Sequence, residues 1–560
     1  MKLLLAGVVA VAVAACSDQL DVTNTNAPDA ERALRSPTDV ENLVGSSYQA
    51  VHASTLGGSN DAIQPQTLVM GMESYSDLAN FGMNLRSPVP RPAIDNTRGN
   101  AVQGGNYRDF LGLHRAARQA ATGLSVMNRA DFAFLPVDTF RTNRAKAWGN
   151  FVVGVALGNV ALIYDQGAAV AAENTGQSEP VPLIAYDSLM TYALAQIDAA
   201  IALATPASRW GTYSTEAAWL NGLALTPAQF IALARGYKAR FRAGVARTPA
   251  DRAAVDWATV IADANAALGQ LPNGLVIPMA PAQGWDISWP VQHFFNNSTN
   301  WHCMHQYIIG MADSSGGYDT WLNTPVLNRT PFLVVTADRR FPQGTDRATQ
   351  RTNSATVGNG GPPNPYIRNR SVPDWQGAPL GTSWYDHYRW QPFYAAGRVG
   401  NFPVYTATEL RMLAAEGYIR TGQFDQAAAL INVTRTAWGL PALPNGMTAT
   451  TQVPGNDGNP GTTGCVPRIP VGPGYTTTQC GTILEAMKWE KRMETAFTGP
   501  YMWYLDGRGW GDLPVGTALM WPTPFQEIDT RQTSANPPPY VSGYGGVGGT
   551  NAAPVGNYGL

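Results

Sequence analysis

From Ser36 onward the chain places apolar residues at helical spacing. Ser36-Pro37-Thr38 starts the pattern, because Ser36 can cap a helix and proline suits a first position where no N–H is needed. Val40, Leu43, Val44, Ser47, Tyr48 and Val51 follow, which gives one apolar face. The same period predicts helices at about 65–80, 106–129, 139–164, 186–204, 227–246, 254–268, 406–419, 424–437 and 482–496, joined mostly by short turns. Evidence for strands is thin, with Leu333 to Thr336 and Gly400 to Tyr405 as candidates. Two stretches, about 270–400 and 440–481, are predicted to be long irregular inserts. The fold class is mainly α.

One helix pair can be read in detail. Tyr418, Gly422, Phe424, Ala427 and Ile431 match the spacing of a tetratricopeptide repeat, with Gly422 closing the first helix and small Ala427 allowing close packing. The stretches 139–164 and 227–268 show the same habit more weakly. Together they predict helix pairs that stack into a superhelix.

The start of the chain breaks this pattern. Lys2 precedes an apolar run from Leu3 to Val13, shorter than the about 20 residues a membrane-spanning helix needs. It reads as the apolar region of a secretory signal. The run ends in Val13-Ala14-Ala15-Cys16, which resembles a bacterial lipobox; the alternative is an ordinary secretory signal with a chance cysteine. The division expected is a signal peptide at 1–15, a lipid-anchored leash at 16–35 and one domain over 36–560. Ser17, where an aspartate would favour inner-membrane retention, points to the outer membrane. The mature chain would then be held by lipid at Cys16 without spanning.

Charged residues make up 14% and the net charge is -2, so nothing points to nucleic acid. The 57 glycines and 41 prolines fit the long loops. Cys465 and Cys480 flank a Gly/Pro/Thr-rich loop and are plausible disulfide partners in an exported protein, a cross-link that contributes about 3 kcal/mol in the chain-entropy model. Cys303 is left over and reads as a buried thiol.

Four stretches, in order, resemble the SusD/RagB family of starch-binding-like outer-membrane lipoproteins. They are the leash Leu20 to Asn26, then Ala337-Asp338-Arg339-Arg340, then Glu409 to Leu440 with Ala415-Glu416-Gly417-Tyr418 and Ile431-Asn432-Val433-Thr434-Arg435, and last Ile483 to Glu527. The last holds Glu490-Lys491-Arg492-Met493-Glu494, Asp506 to Leu513 and Trp521-Pro522-Thr523-Pro524. One departure is Thr498-Gly499-Pro500-Tyr501, where the family has Glu-Gly-x-Arg. The resemblance implies a right-handed superhelical scaffold of tetratricopeptide-like helix pairs with a loop-rich ligand face. It implies a nutrient ligand, an oligosaccharide or a peptide, delivered to a TonB-dependent SusC-like barrel, with no cofactor. Read from physics, the shared charges look structural, with Arg435 and Arg508 as candidate partners for Glu490 and Glu494, and Asn432 bonding backbone.

Signals for chemistry are weak. His302 and His305 lack a further cluster to complete a metal shell. Gly543 to Gly548 has the G-x-G-x-x-G pattern without the strand and helix that a nucleotide site needs. A surface glycan hydrolase would need paired carboxylates, for which Asp286, Asp313, Asp319 and Asp386 are the suspects, and a purely structural scaffold is the other rival. No enzyme activity is expected. Seven of the 16 tryptophans fall between 285 and 390, about twice their share. Most would anchor loops; Trp285, Trp289, Trp301 and Trp321 are the candidate platforms for a ligand, with Asn84 and Arg86 as polar partners.

Overall fold

Local signals open the helices where the periodicity places them. Ser36 accepts the Asp39 N–H ahead of α1 (Pro37–Thr55). Asp138 accepts the Arg141 N–H ahead of Thr139, and Thr226 and Gln229 form a reciprocal capping box ahead of Pro227. The computed structural model describes residues 34, 36–57, 62–77, 80–99, 105–175, 180–287, 302–354, 364–370, 380–532 and 552–560. Among them the helices of eight residues or more continue as α2 (Ile63–Met70), α3 (Gly105–Met127), α4 (Thr139–Ile163), α5 (Tyr186–Ala204), α6 (Pro227–Gly244) and α7 (Trp257–Gln270). After the first insert come α8 (Ala407–Arg420), α9 (Phe424–Arg435), α10 (Ile483–Thr495), α11 (Met502–Trp510) and α12 (Phe525–Gln532).

Packing follows chain order. α1 lies on α3 and α4; α4 packs on α5, α5 on α6, α6 on α7, α7 on α8, and α8 on both α9 and α10. This succession of neighbouring pairs is the mainly α scaffold expected. α4 is apolar all round because it is surrounded: its most apolar window is 89% buried. Two glycines let its neighbours approach. A Cβ at Gly154 would lie 2.6 Å from Ile197, and one at Gly158 2.2 Å from the Phe241 ring. In the α8–α9 pair Gly422 makes the turn at φ 76°, and Ala427 and Ile431 are fully buried. One apolar cluster runs from Val40 to Leu560.

Three expectations are corrected. The helix expected at 65–80 stops at Met70, since Gly71 and Met72 (φ 58°) turn the chain, and a 3-10 turn follows at Asn80–Leu85. Leu333 to Thr336 is not a strand: the Val334 and Val335 N–H groups donate to the Tyr385 hydroxyl and the Asp313 carboxylate, not to a neighbouring chain. The 254–268 helix is instead α7, capped by Asp256, preceded by a short turn of helix at Pro249–Ala253. The other candidate strand forms. Gly400–Thr406 pairs antiparallel with Gly274–Met279, whose own pattern gave no signal, with a bulge at Leu275/Val276.

Cys465 and Cys480 are joined by a disulfide across the hairpin of Arg468–Val471 and Thr477–Cys480. Cys303 is a buried free thiol, pushed up to about 12 by burial. Its reaction with a thiol probe should therefore be slow until the chain unfolds, which a labelling time course read by mass spectrometry checks.

Candidate ligand-binding residues and the buried charge hub

The six sequence candidates do not form one site among the described residues. Trp289 and Trp301 lie outside those residues. Trp285 is 4% exposed and stacks on Tyr48 and His52 of α1, with ring centroids at 6.3 and 5.1 Å. Trp321 is 3% exposed among Tyr307, Tyr318 and Phe332, with the Arg329 guanidinium 4.3 Å from its ring. With so little of either ring exposed, neither is placed as an open platform. Asn84 is half-buried in the 3-10 turn. Arg86 is buried; its Nε donates to Gln66 at 3.2 Å, and burial lowers its guanidinium to about 10.

Truncating the buried rings gives a clear expectation. Trp285→Ala or Trp321→Ala should destabilise the fold by about 3–5 kcal/mol through the cavity left behind. Urea unfolding read by circular dichroism checks this. A ring that was only a platform would leave the unfolding midpoint in place and lower affinity alone.

The structure does join segments that lie far apart in sequence. The Arg340 guanidinium is fully buried and contacts Asp338 at 2.6 Å, Glu490 at 2.9 Å and Glu494 at 3.4 Å. Glu494 also accepts from the Trp438 indole and the Tyr366 hydroxyl. A second group centres on Arg252, which pairs with Glu416 at 2.5 Å and Asp506 at 3.2 Å, and Lys491 reaches Asp506 at 2.8 Å. Burial alone would raise the Glu416 carboxyl, but Arg252 outweighs it and holds it at about 2. A third joins Lys488 and Arg492 to Asp512, beside Tyr558 near the end of the chain.

Two expected partners are corrected. Among the described residues, Arg435 and Arg508 make no carboxylate pair. Arg508 donates to the carbonyls of Leu162 and Gly244, in the last turns of α4 and α6, and to that of Leu519. A cation there satisfies carbonyls that a helix end leaves without partners. Arg435 donates to the carbonyls of Pro441 and Val466, which fixes the second insert to α9. Arg340 takes the place beside Glu490 because Asp338 and the turn at Arg339–Arg340 aim its guanidinium at α10. Asn432 does bond backbone, exchanging two hydrogen bonds with Leu443.

The carboxylates suspected of catalysis are all engaged in separate places. Asp286 pairs with Arg398 at 2.7 Å, and Asp386 with Arg368 at 2.5 Å. Asp313 accepts the Tyr318 and Val335 N–H groups, and Asp319 accepts from Thr478. His305 is buried and held near 3 by that burial, its Nδ1 accepting the Tyr307 N–H.

Sequence reading missed two features. Glu73 is buried and accepts the Phe497 N–H, while Gln64 accepts the Tyr501 N–H at 2.8 Å. Phe497 and Tyr501 have φ of 58° and 64°, so the residue before Thr498 and the last residue of Thr498-Gly499-Pro500-Tyr501 are left-handed, each with its N–H held by Glu73 or Gln64. Burial pushes the Glu73 carboxyl up to about 8. The second feature is a cleft of about 440 Å³ lined by Tyr186, Asp187, Met190, Arg242, Asp251 and Asp256, among others. Its acids gave no signal because Asp251 and Asp256 also read as caps, the first accepting the Thr248 N–H and the second the Thr259 N–H.

No protein-family model matches the chain, and no curated protein does. Solved structures do. A SusD-like carbohydrate binding protein from Bacteroides vulgatus is 12% identical, with 86% of this chain and 85% of that one covered and a TM-score of 0.49. A SusD superfamily protein from Bacteroides fragilis is 12% identical over 90% of this chain and 99% of its own, also at 0.49. The chain is similar to SusD-superfamily structures. A SusD homolog from Parabacteroides distasonis is 14% identical, covers 85% of this chain and 84% of its own, and has a TM-score of 0.47.

Proposed function

We propose that this chain is a lipid-anchored, surface-exposed outer-membrane protein that binds a nutrient, an oligosaccharide in the first place, and passes it to a SusC-like TonB-dependent barrel. It binds without turnover. The observation that carries the reading is Val13-Ala14-Ala15-Cys16 ahead of a helical body whose three later SusD-like segments converge on buried ion groups. Arg340 meets Glu490 across 150 residues, and Glu416 and Asp506 meet through Arg252. Charges arranged in this way hold elements in register. The suspected acids are each matched by an arginine or by hydrogen-bond donors, which supports binding over hydrolysis.

The anchor has its own test. Cys16→Ser should move the protein from outer-membrane vesicles to the soluble fraction, and the wild-type N-terminal peptide should carry acyl chains by mass spectrometry. Wild-type protein that is soluble and unacylated would contradict the anchor.

A further inference from the structure

Arg247 and Arg508 are 2% and 1% exposed, and among the described residues neither guanidinium meets a carboxylate. Arg247 donates to the carbonyls of Ala161 and Tyr164 at the end of α4. Arg508 donates to Leu162 and Gly244, at the ends of α4 and α6. A helix end carries about half a negative charge, so two ends offset roughly one of the two cations. The acids close by are engaged elsewhere. Asp251 accepts the backbone N–H groups of Arg247 and Thr248, and Asp165 accepts the N–H and hydroxyl of Thr523. Burial, and then the neighbouring Arg508, hold the Arg247 guanidinium down at about 9. Nε of both arginines and Nη1 of Arg247 have no hydrogen-bond partner among the described residues. Buried donors of this kind call for an acceptor, and a buried cation calls for an anion.

Both arginines line a cavity of about 170 Å³. Leu513 and Leu519 form one apolar side, and the tail at Ala553, Pro554 and Val555 forms another. The tail is fixed there: Ala553 exchanges backbone hydrogen bonds with Gly516 and Thr517, and the Asn557 N–H donates to Gly511. The volume would hold several water molecules, and so an organic acid of a few carbons. Phosphate suits it less well. A dianion ringed by oxygens needs donors on every side, whereas most of these walls are apolar.

We infer that this cavity binds a small organic monocarboxylate, its charge held by Arg247 and Arg508 and its apolar part packed against Leu513, Leu519 and the tail. The site goes beyond the nutrient reading and stands independently of it, since it lies at helix ends and not among the aromatic inserts.

Isothermal titration of the full acylated protein at constant ionic strength tests it, with butyrate, n-butanol and inorganic phosphate as probes. Butyrate should saturate one site and raise the melting temperature. Butanol, the same shape without charge, should not bind, and phosphate should bind at least about tenfold more weakly. Ala553→Leu leaves both arginines in place and fills the cavity, so it should abolish butyrate binding in a protein that still melts cooperatively. Val555→Trp, at a position 58% exposed in the same wall, gives the same reading should Leu at 553 prevent folding. No saturation by butyrate up to about 10 mM overturns the site, as does undiminished binding in the folded variant. Butanol binding equal to that of butyrate removes the role of the arginines. Phosphate binding as tight as butyrate overturns the carboxylate assignment.

Discussion

Arg340→Met should destabilise the protein by about 3–5 kcal/mol, because three carboxyl groups then share a buried site without their guanidinium. Arg340, Asp338 and Glu490 are all fully buried, so water cannot replace the lost charge. Urea unfolding of wild type and variant measures the loss. Adding Glu490→Gln should recover part of it, since one of the stranded charges is removed. The exposed pair Arg98–Asp529 provides the contrast: Arg98 is 64% exposed, and Arg98→Met should change stability by less than about 1 kcal/mol. Equal losses at the two sites would show that the hub does not hold the elements together.

The second large effect concerns pH. Glu73 keeps its proton in the folded chain up to about pH 8, whereas a freely solvated glutamate gives it up near 4.5. The folded state therefore binds more protons than the unfolded one between those values. The stability this group contributes is fully present below about 4.5 and is lost as pH rises through 8. Glu73→Gln keeps an acceptor for the Phe497 N–H and carries no charge. It should leave stability at pH 5 nearly unchanged and raise it by a few kcal/mol at pH 9. Denaturant midpoints across that range read the difference between the two slopes. Parallel profiles would mean that Glu73 is ionised in the fold without penalty.

The scaffold was legible because helical period and caps are local. Ser36, Asp138 and Thr226 open helices with side chains that reach only three residues ahead. Gly400–Thr406 could be read as a strand, while its partner Gly274–Met279 could not, because its pairing is decided by residues 121 to 132 positions further along the chain. The charge hub was half legible. Glu490 and Glu494 stand one turn apart on any helix, but the choice of Arg340 over Arg435 and Arg508 depends on where the first insert and the helix ends fall. Helix ends can take a cation as readily as a carboxylate can, and a linear pattern does not distinguish them.

The ligand residues were the least legible. An exposed platform and a loop anchor are the same residue type in the same kind of segment, and only burial separates them. Trp285 faces α1 because Tyr48 and His52 stand there, a contact between residues more than 230 positions apart. Glu73 carried no sequence signal at all. Its partner is a backbone N–H in a left-handed residue, and neither feature is written in local composition.

This chain should bind a nutrient without converting it. Isothermal titration of the acylated protein against a panel of oligosaccharides and peptides, with the same mixtures analysed for products after overnight incubation, tests it most directly. At least one oligosaccharide should bind saturably and be recovered intact. Cleavage of a bound glycan would contradict it, as would binding confined to peptides for the carbohydrate reading, or no binding by any member of the panel.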